Sequence, residues 1–126
     1  MLTPTDTHYV AGLLTLSSSP AGVEVEVGSM VTDTAAGIAR DVDVTIKGKN
    51  REGRVVILAG REVKAHGRPL DSTHVEQLAC KLNDMPGLGS RGIVSASGYT
   101  APAVRKAAKH SILLYDLVEL PESGTA

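Results

Sequence analysis

Alternation with period two runs through the first half of this chain and commits it to a sheet. Val23-Glu24-Val25-Glu26-Val27 and Asp41-Val42-Asp43-Val44-Thr45-Ile46 both switch between apolar and polar at every step. Successive side chains of an extended strand point to opposite faces, so each stretch predicts a half-buried strand, over residues 22–28 and 40–47. Val55-Val56-Ile57-Leu58-Ala59 is apolar throughout, as in a strand covered on both faces, and it continues across Gly60 into Arg61-Glu62-Val63-Lys64. Residues 29–39 are small and polar and read as a loop, and residues 48–53 read as a turn. Three strands joined by short connections predict an antiparallel meander.

The second half changes period. Val75, Leu78, Ala79, Leu82 and Met85 make one apolar stripe at helical spacing, with Asp71, Ser72 or Thr73 as the cap and Pro86-Gly87 as the stop. Ile93-Val94-Ser95-Ala96 is a short strand. Thr100 caps a helix that tolerates Pro102 near its start and runs to about His110, and Ile112–Leu117 closes as a last strand. A short first helix is expected over residues 6–17, with Val10, Leu13 and Leu14 on one side. The order is α-β-β-β-α-β-α-β. With β-α-β crossovers after the meander, the fold class is α/β, a mixed sheet flanked by helices.

The chain has 126 residues, enough for one core; a single domain is expected over residues 1–120, with a frayed tail over 121–126. With no Phe or Trp and three Tyr, Val, Ile, Leu, Ala and Met must fill that core. The net charge of −1 gives no global positive field, so any polyanion would be held by local basic residues or by metal. The single Cys80 excludes an internal disulfide, fits a reducing cytoplasm, and is expected as a small buried residue on or beside the helix stripe. No apolar run reaches the ~18 residues of a membrane span, and the N-terminus lacks the pattern of a signal peptide.

Gly87-Leu88-Gly89-Ser90-Arg91-Gly92 matches G-x-G-x-x-G letter for letter. The dinucleotide motif must follow a strand and open a helix, whereas here a helix precedes and a strand follows. It reads as a flexible helix-to-strand connection. The histidines and Cys80 show neither Cys-x-x-Cys nor His-Glu-x-x-His spacing, which argues against zinc, and no nucleophile elbow surrounds Ser95 or Ser97.

The carboxylates say more. Asp41 and Asp43 lie two apart on one strand, and Glu62 and Lys64 two apart on the next. A hairpin closed over Glu52-Gly53 sets Asp43 across from Glu62 and Asp41 across from Lys64. Directly opposed residues have Cβ atoms ~4.5–5.5 Å apart, where two like charges repel unless a cation is shared. Mg²⁺ favours such sites, taking one or two carboxylates with water and phosphate oxygens. A solvated sheet face, with Asp41–Lys64 as a cross-strand ion pair, satisfies the same spacing.

An Asp at the head of one strand followed by Glu-x-Lys at the end of the next resembles the PD-(D/E)xK nuclease signature. The likeness extends to Mrr-like restriction endonuclease domains through Arg40-Asp41-Val42-Asp43-Val44, Arg61-Glu62-Val63-Lys64, Val75-Glu76-Gln77-Leu78, and Gly92–Thr100 with Ala103 and Ala107-Ala108. It covers residues 22–118 and implies a restriction-endonuclease-like sheet. By that resemblance the catalytic residues are Asp43, Glu62 and Lys64. Asp43 and Glu62 with the Val63 carbonyl would hold Mg²⁺ (or Mn²⁺), and Lys64 would orient the attacking water. Asp41 and Gln77 are possible accessory residues. The family often adds an acid from its first helix, where this chain offers only Asp6. Arg68, Arg105, Lys106 and Lys109 are candidates for DNA phosphates, as are Lys47, Lys49, Arg51 and Arg54 at the hairpin tip. The implied activity is metal-dependent hydrolysis of DNA phosphodiesters by a cytoplasmic protein, with a homodimer or partner subunit supplying specificity. The alternatives are a Holliday-junction-resolvase-like nuclease and a non-cleaving DNA-binding subunit of the same fold.

Overall fold

A computed structural model describes residues 23–65 and 67–117 of the chain. Five strands, β1 (Glu24–Asp33), β2 (Ile38–Lys49), β3 (Val55–Lys64), β4 (Arg91–Ser95) and β5 (Leu113–Asp116), form one sheet in sequence order. Helix α1 (Ser72–Asn83) links β3 to β4, and α2 (Ala101–Lys109) links β4 to β5. β1–β2 and β2–β3 are antiparallel, β3–β4 and β4–β5 parallel, so the sheet is mixed, as an α/β meander followed by two crossovers demands. The expected helix over 6–17, including Asp6, and the tail over 121–126 lie outside the described residues.

The expected loop over 29–39 is instead mostly strand. β1 runs to Asp33 and turns through residues 34–37, with Gly37 at φ 71°, before β2 begins at Ile38. Two of its inward positions, Ser29 and Asp33 on either side of Val31, are polar but paired, which hides them from an apolar-periodicity reading. Ser29 and Thr45 share a 2.5 Å hydroxyl hydrogen bond, and Asp33 accepts from the Ala36 N–H at 2.8 Å and from Arg40 at 3.2 Å.

Beside the β2–β3 turn Lys49 faces Val55, but an irregularity between Ile46 and Lys47 leaves Leu58 unpaired and brings Val44 opposite Arg61. The inner half of the ladder thus has the register expected for a turn over Glu52-Gly53. The Ile57 and Leu58 carbonyls accept from Gly89 N–H at 3.2 Å and Ser90 N–H at 3.0 Å. The glycine-rich connection is therefore tied to β3 rather than loose, and a Cβ at Gly89 would lie 2.6 Å from the Leu58 oxygen.

Both helices pack with Val31, Val42 and Ile93 in one cluster, and Val44, Val63 and Val94 form a second. Ile93 and Val94 are consecutive strand residues, so at β4 the two clusters sit on opposite faces of the sheet. Leu70, Leu82, Met85 and Ile93 are the largest apolar side chains fully buried, and Ala103 and Ala107 give α2 a close approach. The Asp71 carboxylate accepts from His74 N–H at 2.9 Å, while Asp71 N–H donates back to His74 Nδ1 at 3.2 Å, a capping box. At the other end Arg91 donates to the Leu82 and Met85 carbonyls at 2.9 and 3.2 Å. Cys80 is exposed, a correction to its expected burial: it follows Ala79 by about 100° of helix rotation, outside the stripe.

Candidate active site

The β2–β3 ladder stops at Val44↔Arg61, and side chains take over beyond it. The backbone N–H of Asp43 donates to Glu62 Oε2 at 3.2 Å, and Val63 N–H donates to Asp43 Oδ2 at 2.8 Å. Two carboxyl groups thus replace main-chain pairing where the strands part. Glu62 is 2% exposed, and its Oε1 forms an ion pair with the Lys81 ammonium from α1.

Burial pushes the Glu62 carboxyl up from 4.5 to about 7, and the hydrogen bond and negative charge of Asp43 push the same way. Lys81 opposes both without overcoming them. Glu62 is therefore a buried acid whose charge the fold only partly compensates, a setting that favours an added cation.

The Lys64 carbonyl accepts from Ala96 N–H at 3.0 Å, so the main-chain polar groups of Lys64 face β4. Alternation then turns the Val63 N–H and carbonyl toward β2, on the side of Asp43. Lys64 shares the strand face of Glu62, is half-buried, and stands level with Ser95 of β4. Past β4, Ser95 Oγ donates to the Gly98 carbonyl at 3.0 Å and accepts from Ser97 N–H at 3.1 Å. Gly98 has φ 81°, the left-handed conformation this Ser-Gly-Tyr turn requires. Tyr99 then anchors its hydroxyl on the Tyr115 carbonyl at 2.6 Å, and burial raises that phenol to about 12.

Asp43, Glu62 and Val63 come together. The accessory candidates do not join them: Asp41 is exposed and stands opposite Met30 of β1, and the ladder that would carry it to Lys64 has already ended. Gln77 is an exposed residue of α1. No group of three or more His, Cys, Asp or Glu suited to a metal occurs among the described residues. Arg68 is exposed in the connection after β3, where its carbonyl accepts from Ser97 Oγ at 2.5 Å. Arg105 and Lys109 are exposed on α2, whereas Lys106 is paired with Glu76 at 2.5 Å.

Lys81 is the residue the sequence reading missed. It follows Leu78 by three positions, beside the buried stripe, so its stem runs along α1 to the sheet. The available signal was a cation flanking the stripe of the helix that directly follows Glu-x-Lys.

No family model matches the chain, and no curated protein matches it. Solved structures do. The chain is similar to a protein of unknown function, AF1548, with TM-score 0.62 and 21% identity over 92% of this chain and 58% of that one. It is similar to a repair endonuclease from Pyrococcus abyssi, with TM-score 0.52 and 17% identity over 86% of this chain and 46% of that one. It is also similar to EndoMS in a complex with dsDNA, with TM-score 0.53 and 16% identity over 97% of this chain and 48% of that one. The chain spans about half the length of the chains it matches. Among the described residues no helix is long and apolar enough to cross a membrane. The likeness is one of fold: the chain shares a mixed α/β architecture with these structures.

Proposed function

We propose that this chain is the catalytic core of a metal-dependent DNA endonuclease of the PD-(D/E)xK type. The observation that carries the reading is the meeting of Asp43 and Glu62 where β2 and β3 part, with Glu62 buried and its carboxyl raised to about 7. The donors fit Mg²⁺ or Mn²⁺: both are hard carboxylate oxygens, and the Val63 carbonyl turned toward Asp43 adds a third of the same kind. A bound cation would polarise the phosphate and lower the pKa of a coordinated water.

The chain's own residues do the rest. Asp43 and Glu62 would hold the cation, and backbone N–H groups, that of Val63 on Asp43 and that of Asp43 on Glu62, each engage one carboxylate oxygen. Lys64, on the same strand face as Glu62, orients the attacking water and offsets charge that builds on the phosphate in the transition state. Exposed Arg68, Arg105 and Lys109 supply contacts to the DNA backbone, which position the duplex without reading its sequence. Selection of the DNA is assigned to a second copy or a partner subunit.

Similarity to endonuclease structures, one of them bound to dsDNA, supports this reading. The test is incubation with plasmid, linear and branched DNA in Mg²⁺, Mn²⁺ or EDTA. Cleavage that needs the cation and disappears in Glu62→Ala and Lys64→Ala supports it. Cutting unaffected by either substitution, or none at all, refutes it. Preference for branched DNA would redirect the reading to a junction-resolving nuclease.

A further inference from the structure

Glu62 is gripped at both oxygens by different parts of the fold. Oε2 takes the Asp43 backbone N–H from β2, and Oε1 takes the Lys81 ammonium from α1. The Lys81 side chain is 17% exposed and that of Glu62 3%, so this pair is held mostly out of water. Lys81 lies on neither strand of the Asp and Glu-x-Lys motif. Its helix is fixed independently, by the Asp71–His74 capping box at one end and the Arg91 contacts at the other.

A glutamate has three side-chain torsions and can swing away from a neighbouring carboxylate unless something holds it. Lys81 is placed to do that. We propose that Lys81 is a positioning residue for Glu62: its grip on Oε1 keeps Oε2 turned toward Asp43, so the two carboxyl groups stand gathered before a cation arrives. Lys81 thereby links the seating of α1 to the geometry of the cation site. It touches neither DNA nor the reacting atoms. The inference rests on the reading of Asp43 and Glu62 as cation ligands, and its test separates the two.

Binding of Mn²⁺ is measured without DNA, by the loss of its free-ion paramagnetic resonance signal, for wild type, Lys81→Gln and Lys81→Arg. Lys81→Gln weakens Mn²⁺ binding roughly tenfold or more, Lys81→Arg restores most of it, and in cleavage the loss falls on kcat rather than on KM for DNA. Equal or tighter binding by Lys81→Gln overturns the proposal, because the ammonium would then be a bystander or a competitor. No Mn²⁺ binding by wild type overturns the metal reading itself. Should Lys81→Gln fail to fold, the wild-type chain gives a second readout. The resonance of the Lys81 ammonium-bearing carbon shifts on Mg²⁺ addition, because the cation draws charge from the carboxylate that Lys81 still grips, and its indifference to Mg²⁺ contradicts the proposal.

Discussion

Asp43 donates its backbone N–H to the side chain of Glu62, at 3.2 Å, at the point where the two central antiparallel strands stop pairing. A main-chain donor has exchanged a carbonyl for a carboxylate, and the Asp43 carboxylate in turn takes the N–H of Val63. This exchange brings two acids together inside the protein. An ordinary ladder would have left the position to main-chain carbonyls, with no reason to gather charge.

The first consequence concerns stability. A carboxyl raised from 4.5 to about 7 in the folded chain holds its proton more tightly there than when unfolded. Stability therefore falls as pH rises between those two values and is level above the upper one, by an amount on the order of 3 kcal/mol. Without divalent cation, Glu62→Gln removes most of that decline. In wild type at pH above the upper value, Mg²⁺ raises the melting temperature, and in Glu62→Gln it does not. Melting curves across pH, with and without Mg²⁺, check all three statements.

Lys64→Ala separates chemistry from binding. The substitution is expected to lower kcat by roughly a hundredfold to a thousandfold, the usual cost of losing one group that stabilises transition-state charge. Affinity for DNA in Ca²⁺ should change little. Single-turnover cleavage together with equilibrium binding provides the check.

The exposed cations of α2 are expected to act on DNA affinity alone. Replacing Arg105 and Lys109 with Gln should reduce the slope of log K against log salt by about two, roughly one for each lost phosphate contact. Lys106, engaged with Glu76, should contribute less than either. Binding titrations at several salt concentrations measure the slopes.

The glycine-rich connection makes a prediction of a different kind. Gly89→Ala forces a Cβ against the Leu58 carbonyl oxygen and should cost about 1–3 kcal/mol, whereas a Cβ at Gly87 meets nothing within 4 Å and should cost little. Denaturant unfolding distinguishes them. Equal effects would mean that the close approach to β3 is not what requires glycine.

Much of this was legible in the residues. Val42, Val44 and Ile46 announced β2 by period, and Val75, Leu78, Ala79 and Leu82 announced α1, because apolar side chains must face the core. The extension of β1 to Asp33 was not, since Ser29 and Asp33 are buried by hydrogen bonding rather than by apolarity. The unpaired Leu58 was hidden as well: it sits where Gly89 and Ser90 bond across to β3, a contact with no periodic signature. Asp43 and Glu62 could be paired from the register alone. Lys81 could not, because its role depends on how α1 seats over β3, and Cys80 was misplaced by the same rotation.

The most direct measurement is a crystal of the chain grown with Mn²⁺ and recorded at the manganese absorption edge. The account expects an anomalous peak shared by the carboxylates of Asp43 and Glu62, lost in Glu62→Gln. A peak elsewhere, or a wild-type site that takes no cation at concentrations where the protein cleaves DNA, would contradict it.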